Sequence, residues 1–136
     1  MSIETVSSVS RRTLWAGRLM VIIAVVHLVG FGVASLDAIP EWLGGVLWFK
    51  GLTPIPEVEG LFWASVGSFA VPVLILGLLV GWLAKQGIPV PGFVPWILGA
   101  WVLVCSLLME PSGFPLGLIP VAMLFGRTSG QPSRSS

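Results

Sequence analysis

Apolar residues run almost without interruption from Leu14 to Leu36, from Leu61 to Ala84 and from Phe93 to Met109, and again over a shorter stretch from Gly113 to Gly126. Their length decides what they are, because a hydrocarbon core about 30 Å thick needs roughly 20 helical residues rising about 1.5 Å each. The first two runs meet that length, the third is slightly short, and the fourth is shorter still and carries Pro115 and Pro120. The pattern predicts an all-α polytopic membrane bundle of four transmembrane helices, over about 14–36, 61–84, 93–109 and 113–126. A fourth segment that enters and leaves on the same side is the alternative.

The punctuation between the runs predicts how they connect. In Lys85-Gln-Gly-Ile-Pro-Val-Pro-Gly92, Gly87 can end one helix and the prolines forbid its continuation, so the second and third spans read as antiparallel neighbours. Glu110-Pro-Ser-Gly113 does the same for the third and fourth. The long connection, 37–60, holds Glu41-Trp-Leu-Gly-Gly-Val-Leu-Trp-Phe-Lys50, in which Trp42, Val46 and Phe49 share a helical face. A short interfacial helix lying flat at the outer headgroups is expected there, serving as an anchor or as a lid. Residues 1–12 and 128–136 are polar and Ser-rich and read as disordered tails flanking the membrane domain 13–127.

Charge orients the bundle. With the amino terminus inside, Arg11, Arg12, Arg18, Lys85, Arg127 and Arg134 fall on the cytoplasmic side and Lys50 alone outside. That asymmetry predicts N-in/C-in topology and a plasma-membrane location. Trp15, Trp82 and Trp96 near the inner ends and Trp42, Trp48 and Trp63 near the outer ones suit interfacial indoles, whereas Trp101 is deep. Arg11-Arg12 ahead of the first run has the outline of an export signal, but the run exceeds a usual signal core and more apolar runs follow, so an uncleaved anchor is expected.

Composition agrees with the pattern. The 136 residues are 55% hydrophobic and 10% charged, with mean hydropathy +0.97, too few polar groups to clothe a soluble globule of this size. A net charge of +1 and scattered cations give no phosphate-binding face, so no nucleic-acid partner is expected. The single cysteine, Cys105, cannot close an intrachain disulfide, and neither a metal site nor a cofactor is expected.

The first run nonetheless carries two ionisable groups. Arg18 is four residues past Leu14, about 6 Å inside the boundary, so its stem can follow lipid while the guanidinium returns to the headgroups. His27 lies half a turn round the helix from Arg18, among the small residues Ala24, Gly30 and Ala34, and should face the bundle interior. The second run has a small face of its own, Gly60, Ala64, Gly67, Gly77 and Gly81, interrupted by Pro72. Pro72 lacks a backbone donor and frees the carbonyl of Ser68, a natural acceptor for His27.

An intramembrane histidine also marks a polar cavity, proton site or ligand site. His27 is therefore the candidate catalytic residue and, with Ser65, Ser68, Trp63, Cys105, Ser106 and Glu110, a candidate ligand-binding group. Glu57, Glu59 and Glu110 read as rim carboxylates. No phosphate loop, paired metal-spaced histidines or nucleophile elbow accompanies them.

The order Trp15-Ala-Gly-Arg18-Leu, His27, Gly-Ile-Pro-Val-Pro91 and Pro-Ser-Gly113 resembles a family of small four-span bacterial membrane proteins, many of them actinobacterial. The resemblance spans roughly 13–127 and implies a bacterial plasma membrane and the four-span topology. It implies no catalytic residue. Three functions fit: a non-enzymatic membrane module, either an accessory subunit or a binder of apolar small molecules; a membrane enzyme acting on a lipophilic substrate with His27 as acid/base and Ser68, Cys105 or Glu110 assisting; and a homo-oligomeric transporter. The expected partners are the lipid bilayer and a second copy or larger membrane complex.

Overall fold

A computed structural model of the chain describes residues 3–48, 57–108 and 112–125. They form six α-helices, α1 (Ile3–Ala34), α2 (Ile39–Leu43), α3 (Glu57–Ala64), α4 (Ala70–Lys85), α5 (Phe93–Leu108) and α6 (Leu118–Leu124), with no strands among them. Two 3₁₀ turns, Leu36–Ala38 and Phe114–Gly117, lead into α2 and α6. Within α1, Arg11–Ala34 is a 24-residue stretch whose most apolar 18-residue window has a mean hydropathy of 2.1, long and apolar enough to cross a membrane. The other apolar helices, Ala70–Lys85, Phe93–Leu108 and Phe114–Leu124, are shorter. Helix α1 starts at Ile3, inside the segment whose composition predicts a disordered tail. Propagating a helix already nucleated by the apolar run costs far less than starting one.

The second apolar run is not one helix. It breaks between Ala64 and Ala70, where the Gly67 amide bonds back to the Phe62 carbonyl at 2.9 Å and the Ser68 amide to the Ser65 carbonyl at 3.1 Å. Pro72 falls in the first turn of α4, where a missing N–H costs nothing. The break therefore precedes the proline by a turn, and Ser68 Oγ, one residue ahead of the N-cap Phe69, accepts the otherwise unpaired Ala70 amide at 3.2 Å. At the far end Gly87, with φ +69°, closes α4: its amide bonds the Ala84 carbonyl and the Ile88 amide bonds the Leu83 carbonyl, the paired C-terminal bonds that need a left-handed residue.

Helices α1 and α4 run antiparallel in close contact, α6 also packs on α1, and α5 pairs with α6. Helix α4 has few contacts with α5, so the short 86–92 connection does not make them the packed neighbours that the loop predicts. Helix α1 is the central member because its small residues admit α4. At the crossing, a Cβ on Gly17 would sit 2.7 Å from the Gly77 carbonyl oxygen and 2.8 Å from the Gly81 nitrogen. Gly77 and Gly81 form a small-xxx-small pair that lets the backbones touch. The buried stripe of α1 is Ala16, Gly17, Met20 and Ala24; Gly30 and Ala34, expected on the same face, are exposed.

Side-chain size is distributed opposite to a soluble domain. Among the described residues the core is mostly alanine, valine and serine, with Met20 its largest apolar side chain. Large apolar groups lie outside instead: Val26 is 66% exposed, Ile97 66%, Trp96 71% and Leu107 72%.

The interfacial helix expected over 41–50 is confined to α2, which ends at Leu43, because Gly45 adopts φ +89° beneath the Trp48 ring. Trp42 is half-buried. Its Nε1–H donates to the Val58 carbonyl at 2.9 Å and its ring meets Phe62 edge-on, so α2 folds against α3. Phe49 and Lys50 lie outside the described residues.

Candidate functional site

The candidate site begins at the break between α3 and α4. In an uninterrupted helix the Ser68 amide would bond the Ala64 carbonyl, but here it turns to Ser65. The freed Ala64 carbonyl accepts a hydrogen bond from His27 Nε2 at 3.0 Å. A carbonyl can only accept, so Nε2 carries the proton. The acceptor is Ala64 rather than Ser68, one turn away from the position that Pro72 suggests, because the chain breaks before the proline rather than at it.

Aromatic rings hold the imidazole. Its centroid is 4.6 Å from Phe31, one turn along α1, and 5.0 Å from Phe69, the residue leading into α4. Phe69 continues the cluster to Trp101 of α5 at 5.4 Å and to Phe114 at 5.0 Å, and those two meet edge-on at 5.6 Å. His27 thus ties α1 to the broken segment, and the rings carry that contact on to α5 and the turn before α6. Sequence spacing could not find Phe69 and Phe114, since aromatic residues in an apolar run carry no periodic mark that separates a ring aimed inward from one aimed outward.

The other expected site groups do not converge on His27. Ser65 is buried and donates to the Leu61 carbonyl at 2.7 Å, and Ser106 is buried and donates to the Val102 carbonyl at 2.8 Å. Both hydroxyls are spent on their own backbone. The Ser68 oxygen is occupied by the Ala70 amide at the start of α4. Trp63 is exposed with its ring edge-on to Phe62, and Cys105 is half-buried as a free thiol. Glu110 lies outside the described residues. Among the described residues no group of His, Cys, Asp or Glu could hold a metal ion.

A second feature lies beside the break. A groove of about 390 Å³ runs along Val29, Gly32, Val33 and Leu36, one face of α1 and the turn after it, and is closed by Ile39, Trp42, Ser65 and Val66. His27 does not line it. At the opposite end of α1 the Arg12 guanidinium donates to the Ala122 carbonyl at 3.0 Å, placing a positive charge in the last turn of α6 where the helix dipole favours it. Arg18 is exposed, its guanidinium 5.1 Å from the Trp15 ring on the same face of α1, as a cation lying along the surface should be. Arg18→Lys is expected to change the melting temperature of the purified protein little, because the side chain is exposed and no hydrogen bond or ion pair ties its guanidinium to another helix among the described residues. A collapse in folded yield would show that Arg18 is paired within the bundle.

The sequence profile of DUF6463, a family of unknown function, matches residues 11–130. The chain belongs to this family. The match covers the apolar helices, the α3–α4 break and the His27 contact of this family member. No curated protein and no solved structure matches it.

Proposed function

We propose that this DUF6463 protein is an integral protein of the bacterial plasma membrane that acts as a non-enzymatic module, with four spans, both termini cytoplasmic, and an apolar ligand or partner as its target. The observation that carries this reading is the inverted packing: among the described residues the core is mostly alanine, valine and serine, with Met20 its largest apolar side chain, while Val26, Ile97, Trp96 and Leu107 are exposed. In water that arrangement would leave hydrophobic stabilisation unused, whereas lipid imposes no such penalty and favours close backbone packing through small residues. Helix α4 alone covers about 24 Å, and α3 beyond the break supplies the remaining length of the second span. Broken helices are tolerated at such depth where a neighbour satisfies the freed backbone, which His27 does for Ala64.

A binding or accessory role is favoured over catalysis by the use of the polar groups. His27, Ser65, Ser68 and Ser106 are each committed to backbone partners, and none of these hydroxyls is arranged as a nucleophile beside a base. In a Cys105→Ser background, single cysteines at Ser8 and Ser133 should resist a membrane-impermeant maleimide in intact cells and react after lysis. Reaction at Ser133 alone in intact cells would leave an odd number of spans and overturn the topology. Release of the protein from membranes by carbonate extraction would overturn the membrane reading as a whole.

A further inference from the structure

We propose that the groove beside the α3–α4 break is a seat for one acyl chain of a glycerophospholipid, held in the outer half of the bilayer; this rests on the membrane reading above. The lining is apolar apart from Ser35, Ser65 and Trp42, and the hydrogens of all three are already used. Ser35 donates to the Phe31 carbonyl at 2.7 Å, Ser65 to the Leu61 carbonyl at 2.7 Å, and Trp42 to the Val58 carbonyl at 2.9 Å. A ligand with a polar body would lose its own hydration there and find no free donor in return, whereas a hydrocarbon chain loses nothing. At about 390 Å³ the groove is near the small end of ligand sites, roughly 300–1,000 Å³, and suits one slender flexible chain better than a fused-ring body.

Its position points to the same occupant. Val29, Val33, Leu36 and Val66, which line the groove, also belong to the exposed apolar surface, so the groove is continuous with the face that meets lipid. Gly32 forms part of its wall, and a Cβ there would have open space around it. Helix α1 thus leaves a slot at residue 32 between flanking valines, and a larger side chain can fill that slot without touching the backbone of another helix.

The full-length protein in nanodiscs of phosphatidylcholine containing a trace of a diazirine-tailed phosphatidylcholine would be irradiated and the adducts mapped by mass spectrometry. The seat predicts adducts concentrated at Leu28, Val29 and Val66, lost in Gly32→Leu and kept in Gly30→Leu, whose position is equally open but lies outside the groove. Adducts at Leu107 and Leu108 should persist in all three proteins as a measure of ordinary lipid contact. Where Gly32→Leu does not fold, Val66→Phe fills the slot from the opposite wall and should give the same loss. Wild-type adducts spread evenly over exposed residues, or groove adducts unchanged in the filled variants, would overturn the seat while leaving the membrane reading intact. Absence of adducts everywhere, Leu107 and Leu108 included, would overturn both.

Discussion

Gly17→Ala is expected to unfasten α1 from α4 although it adds one methyl group. The new Cβ would meet the Gly77 carbonyl and the Gly81 amide nitrogen at less than 3 Å, and both are backbone atoms that cannot rotate aside. Overpacking usually costs about 1–3 kcal/mol, and a clash with two backbone groups of a fixed helix belongs at or above the top of that range. Gly77→Ala should behave alike, since its Cβ would lie 2.9 Å from the Gly17 carbonyl oxygen. Gly30→Ala is the matched control: nothing lies within 4 Å of its Cβ, so it should be neutral or gain up to about 1 kcal/mol from helix propensity. Thermal unfolding of the purified proteins in one detergent, followed by circular dichroism, separates these outcomes. Equal melting temperatures for Gly17→Ala and Gly30→Ala would mean that α1 and α4 do not cross at these glycines.

Loss of the His27 contact is expected to have the next largest effect. His27→Phe keeps a ring to pack against Phe31 and Phe69 but leaves the Ala64 carbonyl without its donor. An orphaned carbonyl costs about 1–3 kcal/mol, and interhelical hydrogen bonds in membranes fall near the lower part of that range, so a loss of about 1–2 kcal/mol is expected. His27→Gln removes the ring but retains a donor, and it should recover stability relative to His27→Phe if the hydrogen bond dominates. Hydrogen exchange adds a local reading: in His27→Phe the amides of residues 65–70 should exchange faster while those in the middle of α5 do not change. Wild-type stability and exchange in His27→Phe would show that the break in the second run holds itself.

The two sets of variants probe different layers of the same packing. Gly17 and Gly77 determine whether α1 and α4 can approach at all, and His27 determines whether α1 holds the segment that continues beyond the α4 end. Both contacts run along α1, which among the described residues is the one helix long and apolar enough to cross a membrane and is also the helix that α4 and α6 pack against.

Much of the bundle was legible in the linear pattern because apolar run length and chain punctuation are local properties. The run from Phe93 became α5 ending at Leu108, Gly87 closed α4 as a glycine ahead of a proline-rich turn should, and Arg18 and His27 faced apart because helical geometry alone separates them. Three features depended on contacts between distant residues. The second run reads as continuous, yet it breaks at residues 65–69, since the backbone partners that make a break tolerable come from Ser68 and from His27, 37 residues away. The acceptor for His27 is Ala64 for the same reason: only the position of the break decides which carbonyl is free. Trp42 carries no mark of its partner in the sequence, yet its N–H is held by the Val58 carbonyl, because α2 folds against α3. The sequence by itself located the main apolar helical segments and the face of α1 that carries the histidine, because each follows from residue type and a fixed helical repeat. Only the tertiary structure decided which carbonyl the histidine holds, which helices touch and where a groove remains, because those depend on the order in which backbones separated along the chain come within reach of one another.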